Sequence, residues 1–307
     1  MASIIGTLAR STGGRAVRAV RLKPVLGAQM AHDEVSVTFR NFWQGYQDDK
    51  AYTFLTQRLL ADTRIKLVET EADIAFGSVF GSGELPGRIR CLFLGENFSA
   101  DFSRYNFSVS HHQAQLINGC HNLTWPLFAI YYDLASLQSK PELDKSKFCA
   151  FVVSNPNCRV RNEFFDSLSR YRKVDSGGRY RNNLGYSIEG IHSEEGIIDF
   201  LRDYRFNIAF ENSSSPYYCT EKIAQSMAAG TVPIYWGDPV VDTYFNPQSF
   251  IWARDQEAAI RQVCALDQDP QAYAALYAQP WLQPDTLELF SDDKLAAFRA
   301  EMLSCLG

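Results

Sequence analysis

The chain has 307 residues, of which 46% are hydrophobic and 13% aromatic, enough for one large domain or two of ordinary size. Its formal net charge is −5, but five of its 30 basic residues lie within residues 1–32, which contain no acid. The remaining 25 basic residues stand against 35 acidic ones, a net charge of −10. An acidic body argues against recognition of a nucleic-acid backbone, since such proteins present a basic face. We therefore expect no nucleic-acid partner.

The basic segment over residues 1–33 is interpreted as a flexible tail. Its arginine-rich composition would also suit a transit peptide or an arm lying on anionic lipid, although Gly13-Gly14 and Pro24 interrupt any long amphipathic helix. The sequence contains no apolar run of about 18 residues, which a membrane-spanning helix needs. We expect a cytoplasmic, bacterial-like protein, with peripheral membrane contact through the tail as an alternative.

The first half of the chain is predicted to form an α/β domain over residues 34–143. Its predicted elements are a strand from Val35, a helix over residues 51–61, strands over residues 73–80 and 89–94, and a helix over residues 125–137. The glycine-rich segment between the second and third strands is predicted to be a hairpin or loop. A lysine-rich stretch over residues 138–147 marks the predicted domain boundary.

The second half, residues 144–307, alternates strand and helix patterns. Predicted strands cover residues 147–154, 206–210 and 232–236, and predicted helices cover 159–171, 194–204, 220–229 and several segments after 256. A glycine-rich loop is predicted over residues 175–185. Strands separated by helices of ten to fifteen residues indicate parallel βαβ units. Two such domains facing one another would enclose a cleft at the carboxyl ends of their strands.

The most informative stretch runs from Phe206 to Pro239. A predicted strand ends in Glu-Asn-Ser, and a polar loop then leads into a helix that opens with Thr220-Glu221-Lys222. Thr220 is predicted to cap this helix. Backbone N–H groups at such a helix start attract phosphate, and Lys222 adds a full positive charge. Glu221 and Asn212 would bind ribose or sugar hydroxyls, whereas an isolated Thr-Glu-Lys would be read as a capped surface helix.

This stretch resembles the donor motif of the α-1,3-fucosyltransferase family almost position for position. The matching runs are Phe-Asn-Ile-Ala-Phe-Glu-Asn-Ser, Tyr-Cys-Thr-Glu-Lys-Ile and Ala-Gly-Thr-Val-Pro-Ile-Tyr-Trp-Gly-Asp-Pro. Further similar runs begin at Phe148, Arg161, Lys173 and Tyr244, and a weaker one covers Phe39–Tyr46. The resemblance implies a GT-B fold of two Rossmann-like domains, GDP-β-L-fucose as co-substrate, inversion at the anomeric carbon, and no metal cofactor.

An inverting transfer needs a carboxylate that accepts the proton of the attacking hydroxyl. Glu96 follows the predicted strand over residues 89–94 in the sequence Leu-Gly-Glu-Asn-Phe. The resemblance implies that Glu96 is this general base. The alternative is an ordinary loop carboxylate.

Departure of GDP builds negative charge on the β-phosphate, which two cations can stabilise without a metal. Lys222 is one, and the resemblance places the family's donor-site arginine on Arg161, with Arg159 and Arg181 as alternatives. The further predicted donor-binding residues are Ser154, Asn155, Arg181, Asn212, Tyr218 and Glu221. The family's usual acceptor is an oligosaccharide of the N-acetyllactosamine type, fucosylated on the 3-hydroxyl of GlcNAc. A transferase for another GDP-sugar and a catalytically silent sugar-nucleotide or glycan-binding protein are the alternatives.

Three other signals favour structure over chemistry. The cluster of His111, His112, Cys120 and His121 fits no common zinc spacing. The Asp267-Gln268-Asp269 sequence has the Asp-x-Asp form of some metal-diphosphate sites, but it lies far from the donor motif and is predicted to be a solvated turn. The seven cysteines include no CxxC, so we expect buried free thiols in a reducing compartment.

Overall fold

The computed structural model describes residues 34–142, 144–188, 190 and 193–307. The predicted tail, and with it the membrane contact, lies outside the described residues. Within the described part, no helix is both long and apolar enough to cross a membrane. All seven cysteines are free, as predicted, although Cys305 is exposed and Cys264 only partly covered.

The first half of the chain forms a seven-stranded sheet. Its strands are β1 (Val35–Arg40), β2 (Ile65–Leu67), β3 (Ala72–Gly77), β4 (Gly87–Leu94), β5 (Phe107–Ser110), β6 (Leu116–Ile117) and β7 (Cys120–Thr124). They lie in the order β2-β1-β3-β4-β5-β7-β6. Every neighbouring pair is parallel except β6 and β7. The carboxyl ends of β4 and β5 therefore meet at one edge of the sheet.

The second half forms a five-stranded, fully parallel sheet. Its strands are β8 (Lys147–Phe151), β9 (Asp175–Ser176), β10 (Tyr204–Ile208), β11 (Val232–Tyr235) and β12 (Ile251–Trp252), in the order β12-β11-β10-β8-β9. The described residues of β8, β10 and β11 are mostly buried, as expected for parallel strands covered on both faces. The loops after β8 and β10 leave the same edge of this sheet.

Helices cover both sheets. In the described residues they are α1 (Lys50–Thr53), continued by a π-helical segment over Phe54–Leu59, then α2 (Leu127–Tyr131), α3 (Arg159–Tyr171), α4 (Glu194–Leu201), α5 (Glu221–Ala228), α6 (Val241–Tyr244), α7 (Gln256–Gln268), α8 (Pro270–Tyr277), α9 (Thr286–Leu289) and α10 (Asp292–Ser304). Helix α10 packs on the first sheet, where Phe298 meets Phe107 edge to face. The predicted domain boundary between residues 143 and 144 stays a prediction.

Helix α3 shows why the secondary structure of the second half could be predicted from its hydrophobic spacing. It begins and ends where predicted, at Arg159 and Tyr171, and its apolar residues Phe164, Phe165 and Leu168 are buried. Their i, i+1, i+4 spacing places all three on one helix face. Local spacing alone was therefore enough to define this element.

The segment between the second and third predicted strands was predicted to be a hairpin or loop. Because β3 and β4 pair in parallel, residues 78–86 form a loop that connects them. Two predicted helices need correction. The helix predicted over residues 125–137 is limited to α2, with a short 3-10 turn at Ser136–Gln138. The helix predicted over residues 194–204 ends at Leu201, because Tyr204 already begins β10.

The Asp-x-Asp sequence is not the solvated turn that we predicted. The side chain of Asp267, in the last turn of α7, is 5% exposed and pairs with Arg205 at 2.7 Å and Arg172 at 3.1 Å. Asp269 accepts hydrogen bonds from Gln271 N and Ala272 N at the start of α8. Both carboxylates therefore hold secondary structure, and the error arose because long-range ion pairs leave no local signal.

The glycine-rich loop after β9 lies directly on the end of β8. A Cβ atom on Gly178 would stand 2.1 Å from the carbonyl oxygen of Val153, and Gly177 N and Tyr180 N donate to Phe151 O and Val153 O. Only a residue without a side chain allows two backbones to approach this closely. The loop therefore fixes the exit of β8.

We expect Gly178→Ala to lower the free energy of unfolding by more than about 2 kcal/mol, because the new methyl group overlaps a backbone that cannot move away. Gly185→Ala is the matched control. Gly185 has a φ of 75° with no atom within 4 Å of its Cβ position, so its replacement adds only backbone strain of about 1 kcal/mol. Urea unfolding of both variants measures the difference, and equal losses would contradict the close approach.

Candidate functional site

Glu211 is the buried centre of the donor motif. It follows β10 and is 0% exposed. Its carboxylate accepts hydrogen bonds from Thr220 N and Thr220 Oγ1, each at 2.7 Å, and from the Tyr235 hydroxyl at 3.4 Å. Burial raises the pKa of Glu211, while Lys222 and the Thr220 bonds oppose the rise. A carboxylate so enclosed ties the end of one strand to the start of the following helix.

Lys222 stands in the first turn of α5 between two carboxylates. Its Nζ atom lies 3.3 Å from Glu211 Oε2 and 3.1 Å from Glu221 Oε1. Burial favours the neutral amine, but Glu221, Glu211 and Glu96 outweigh it and raise the pKa of Lys222. The Lys222 side chain is 23% exposed. The ammonium group is therefore charged near pH 7, held in place and still open to a ligand.

Thr220 occupies the predicted N-cap position of α5, but its hydroxyl does not cap the helix. The hydroxyl donates to Glu211 and accepts from Lys222 Nζ at 2.8 Å. The buried carboxylate competes successfully for the hydroxyl because a charge-assisted hydrogen bond is stronger than a neutral one. The helix start is therefore left without a side-chain cap, and its positive end remains available to an anion.

Arg161 lies beneath the strand ends rather than on a solvated helix face. It is 1% exposed, and its Nη1 and Nη2 atoms each donate at 2.7 Å, to Asn212 Oδ1 and Asn155 O. Its Nε atom has no hydrogen-bond partner in the described residues. Burial lowers the pKa of Arg161. The structure thus joins three of the predicted site residues, Arg161, Asn155 and Asn212, across the ends of β8 and β10.

Three other predicted residues are placed differently. Arg181 pairs with Asp166 and packs on the Tyr180 ring, so its polar contacts lie outside the Lys222 cluster. Arg159 pairs with Glu163 at the surface. Ser154 is exposed after β8. Of the three arginines, Arg161 alone contacts the donor motif within the described residues.

Glu96 reaches the donor motif from the other sheet. It stands two residues after β4, half-buried, and accepts a hydrogen bond from the Tyr218 hydroxyl at 3.3 Å. Burial raises the pKa of Glu96; Lys222 and Tyr218 lower it and Glu221 raises it further. The predicted base and the predicted donor residues therefore belong to one electrostatic cluster.

Asn97, which the sequence did not single out, joins the two halves beside Glu96. Its Nδ2 atom donates to Ser213 Oγ at 2.6 Å, and its Oδ1 atom accepts from Ser215 Oγ at 2.5 Å. Both ends of one amide are thus used across a sequence separation of more than 100 residues. We call this contact the Asn97 clamp. No local sequence pattern predicts the Asn97 clamp, because its partners are serines in a distant loop.

The sequence analysis named His111 only as part of a weak candidate metal cluster, but the structure places it beside Tyr218. It is 5% exposed, its ring stacks on His112, and it meets the Tyr218 ring edge to face with centroids 5.3 Å apart. Burial and the neighbouring His112 lower the pKa of His111 to about 4. The imidazole is therefore neutral near pH 7 and supports Tyr218. No group of three or more metal-ligating side chains occurs in the described part of the chain.

A cavity of about 340 Å³ opens beside Glu96 on the first-sheet side. Its walls include Trp43, Phe80, Phe93 and Tyr131, and Asp49 and Glu96 are its acidic residues. Aromatic walls with a few polar groups are typical of small-molecule sites. The cleft thus has a charged compartment at Lys222 and an aromatic compartment next to Glu96.

Two helix-covered sheets, one mostly and one fully parallel, have strand ends that supply one shared cluster, and this arrangement defines the GT-B class of glycosyltransferase fold. A solved structure described as α1,3-fucosyltransferase with GDP-fucose shares this fold, with a TM-score of 0.71, 24% identity, and coverage of 91% of this chain and 93% of that chain. The family model Glycosyltransferase family 10 (fucosyltransferase) C-term matches residues 143–296, and the model Alpha-(1,3)-fucosyltransferase FucT N-terminal domain matches residues 37–131. The chain belongs to the family 10 fucosyltransferases, which confirms the predicted family.

Curated relatives agree with this assignment. The α-(1,3)-fucosyltransferase FucT of Helicobacter pylori is 28% identical over 268 residues, covering 72% of this chain and 54% of that protein. A putative fucosyltransferase of Acanthamoeba polyphaga mimivirus is 32% identical over 161 residues, covering 49% of this chain and 26% of that protein. The matched region thus spans about half the length of the first relative and about a quarter of the second.

We expect Asn97→Ala to lower kcat/KM about tenfold or more, because it removes two hydrogen bonds that set the position of Glu96 relative to the donor motif. GDP affinity should change little, since no donor-side charge is altered. Initial-rate kinetics and GDP titration measure the two effects.

Ser215→Ala and the double variant with Asn97→Ala complete a mutant cycle. The serine replacement should cost much less in the Asn97→Ala background than in the wild type, because the bond is already absent. Fully additive effects on kcat/KM would contradict the clamp.

Proposed function

We propose that the chain transfers L-fucose from GDP-β-L-fucose to a sugar hydroxyl, the 3-hydroxyl of GlcNAc in N-acetyllactosamine-type glycans, with inversion at the anomeric carbon. The observation that carries the proposal is the contact between Glu96 and Tyr218, which brings a carboxylate from the first sheet to the loop that leads into the lysine-bearing helix of the second. A base opposite a phosphate-binding helix is the arrangement that an inverting displacement needs.

The donor diphosphate is proposed to bind at the start of α5. Three features support this: the uncapped positive helix end, the accessible Lys222 ammonium group, and the Arg161 guanidinium beneath the adjacent strand ends. Asn212 and Glu221 line the same region and are proposed to bind donor hydroxyls, with Ser154, Asn155 and Tyr218 beside them. The names of the H. pylori relative and of the solved complex with GDP-fucose support fucose as the transferred sugar.

In the proposed reaction, Glu96 removes the proton from the acceptor hydroxyl as that oxygen attacks the anomeric carbon. The bond from this carbon to the β-phosphate oxygen breaks, and GDP leaves with its charge opposite Lys222 and Arg161. Lys222 retains its proton throughout, because its neighbouring carboxylates raise its pKa. The step requires no metal, and metal independence is part of the proposal.

Two alternatives remain to be tested against it. A transferase for another GDP-sugar would use the same phosphate site with a different pocket around the sugar. A catalytically silent binding protein would need no carboxylate at the acceptor, so the placement of Glu96 disfavours it.

The direct test is incubation of the purified protein with GDP-fucose and a panel of neutral oligosaccharides, with and without EDTA. We expect fucose transfer to N-acetyllactosamine at the same rate in both conditions. Transfer from GDP-mannose but not GDP-fucose would reassign the donor, and loss of activity with EDTA would refute metal independence.

Glu96→Gln serves as the matched variant. It should bind GDP like the wild type and lose most turnover, because only proton abstraction is removed. A base must be deprotonated to act, so wild-type kcat/KM should fall as the pH drops through the pKa of Glu96, which lies above the ordinary glutamate value of 4.5.

Glu194 provides the control for this loss of activity at low pH. Burial raises the pKa of Glu194 as well, to about 7, against the opposing effect of Lys50. In Glu194→Gln, kcat/KM should fall at the same pH as in the wild type. Unchanged turnover in Glu96→Gln would refute the general-base assignment.

We expect Lys222→Ala to weaken GDP binding at least tenfold and to slow turnover, because a charge opposite the diphosphate is lost. Titration with GDP and with guanosine separates this effect from general damage: guanosine affinity should stay the same. The melting temperature should also fall, since Glu211 would lose the one cation within salt-bridge distance in the described residues. An equal loss of guanosine and GDP affinity would contradict a phosphate contact.

A further inference from the structure

The aromatic cavity beside Glu96 has a second carboxylate, and this one is only partly satisfied. Asp49 Oδ1 accepts hydrogen bonds from Ala51 N at 2.8 Å and from the Tyr131 hydroxyl at 2.6 Å. Asp49 Oδ2 has no hydrogen-bond partner within the described residues. The carboxylate of this cavity-lining residue is therefore fixed through one oxygen, while the other can accept a hydrogen bond from a ligand.

The cavity is surrounded by more negative than positive charge. Lys50, next to Asp49, is already engaged by Glu194 at 2.6 Å and Glu195 at 3.7 Å. Lys222 is engaged by Glu211 and Glu221. Among the residues that the structure describes, no lysine or arginine lines the cavity itself. An anionic group placed there would meet two carboxylates, Asp49 and Glu96, and no lysine or arginine among the described lining residues would offset them.

The remaining walls are aromatic. The rings of Trp43 and Phe80 meet edge to face at 5.5 Å, and Phe80 is 47% exposed, so the mouth of the cavity presents apolar surface. A pyranose ring offers an apolar C–H face to such rings and hydroxyl donors around its edge. Carboxylates are acceptors that match those donors. Aromatic walls with two acceptor carboxylates therefore suit a neutral sugar better than a charged one.

We propose that Asp49 is an acceptor-binding residue: its Oδ2 accepts a hydrogen bond from a second hydroxyl of the acceptor sugar while the attacking hydroxyl faces Glu96. The cavity consequently selects a pyranose that carries no anionic substituent at this subsite. This inference rests on the proposed function, because it assigns the sugar whose hydroxyl Glu96 deprotonates. It adds an acceptor-binding residue, Asp49, and a preference for uncharged acceptors, neither of which the donor motif contains.

The test uses Asp49→Asn, since asparagine caps a helix as well as aspartate and can still accept the Tyr131 bond. Asp48→Asn is the matched control, because Asp48 is exposed and does not line the cavity. Initial rates are measured with N-acetyllactosamine and with the same disaccharide bearing a sulfate on the GlcNAc 6-hydroxyl. GDP affinity is measured by calorimetry, and the melting temperature reports the fold.

For Asp49→Asn we expect the KM for neutral acceptor to rise about tenfold with GDP affinity within a factor of two of wild type. The ratio of kcat/KM for sulfated over neutral acceptor should rise about tenfold, because one of two repelling charges is removed. A purely structural role for Asp49 would not change this ratio. Asp48→Asn should leave KM and the ratio at their wild-type values.

The outcomes separate this inference from the proposed function. If the wild type transfers fucose and Asp49→Asn changes neither KM nor the charge preference, Asp49 does not bind the acceptor and the inference alone is overturned. If the wild type prefers the sulfated acceptor, the proposed selection against anionic acceptors is wrong. If the wild type transfers fucose to no acceptor, the proposed function fails, and the inference fails with it.

Discussion

The buried carboxylate of Glu211 is the interaction on which the donor side depends. Taking an ionised carboxylate fully out of water costs several kcal/mol unless ion pairing and hydrogen bonds compensate. Here Thr220 supplies two hydrogen bonds and Lys222 supplies the charge. Satisfying Glu211 therefore fixes the helix start, diverts the Thr220 hydroxyl from capping, and holds the ammonium group in one position. The proposed phosphate site is therefore organised by contacts within the protein itself.

The same lysine connects the two roles that we propose for the cleft, phosphate binding and proton abstraction. Lys222 lowers the pKa of Glu96, whereas burial and Glu221 raise it. A bound diphosphate would share the positive charge of Lys222 and so reduce its effect on Glu96. We expect the pKa of Glu96 to rise further when the donor binds, which makes the carboxylate a stronger base in the complex than in the free protein. In the proposed mechanism, donor binding and the base strength of Glu96 are therefore coupled through the Lys222 ammonium group.

Local patterns predicted the elements of the site but not the contacts between them. Helix α3 and the strand-helix-strand segment around α5 were readable, because hydrophobic spacing and strand ends are encoded within a few residues. The Asn97 clamp and the Asp267 ion pairs were not, since their partners lie 62 to 118 residues away along the chain. Arg161 was placed at the site by family resemblance, yet its nearly complete burial is a feature of the folded chain, in which it contacts Phe210 O, Asn212 and Asn155 O.

The two sides of the cleft differ in how tightly their side chains are held. On the donor side Glu211, Tyr218 and Thr220 are buried and hydrogen-bonded, so a substitution there disturbs the fold and the chemistry together. On the acceptor side Phe80 and Phe98 are about half exposed and belong to loops after β3 and β4. Replacing them removes little buried area and no buried hydrogen bond. If the proposed sites are right, substitutions in these loops can change acceptor preference without disturbing the donor site on the second sheet.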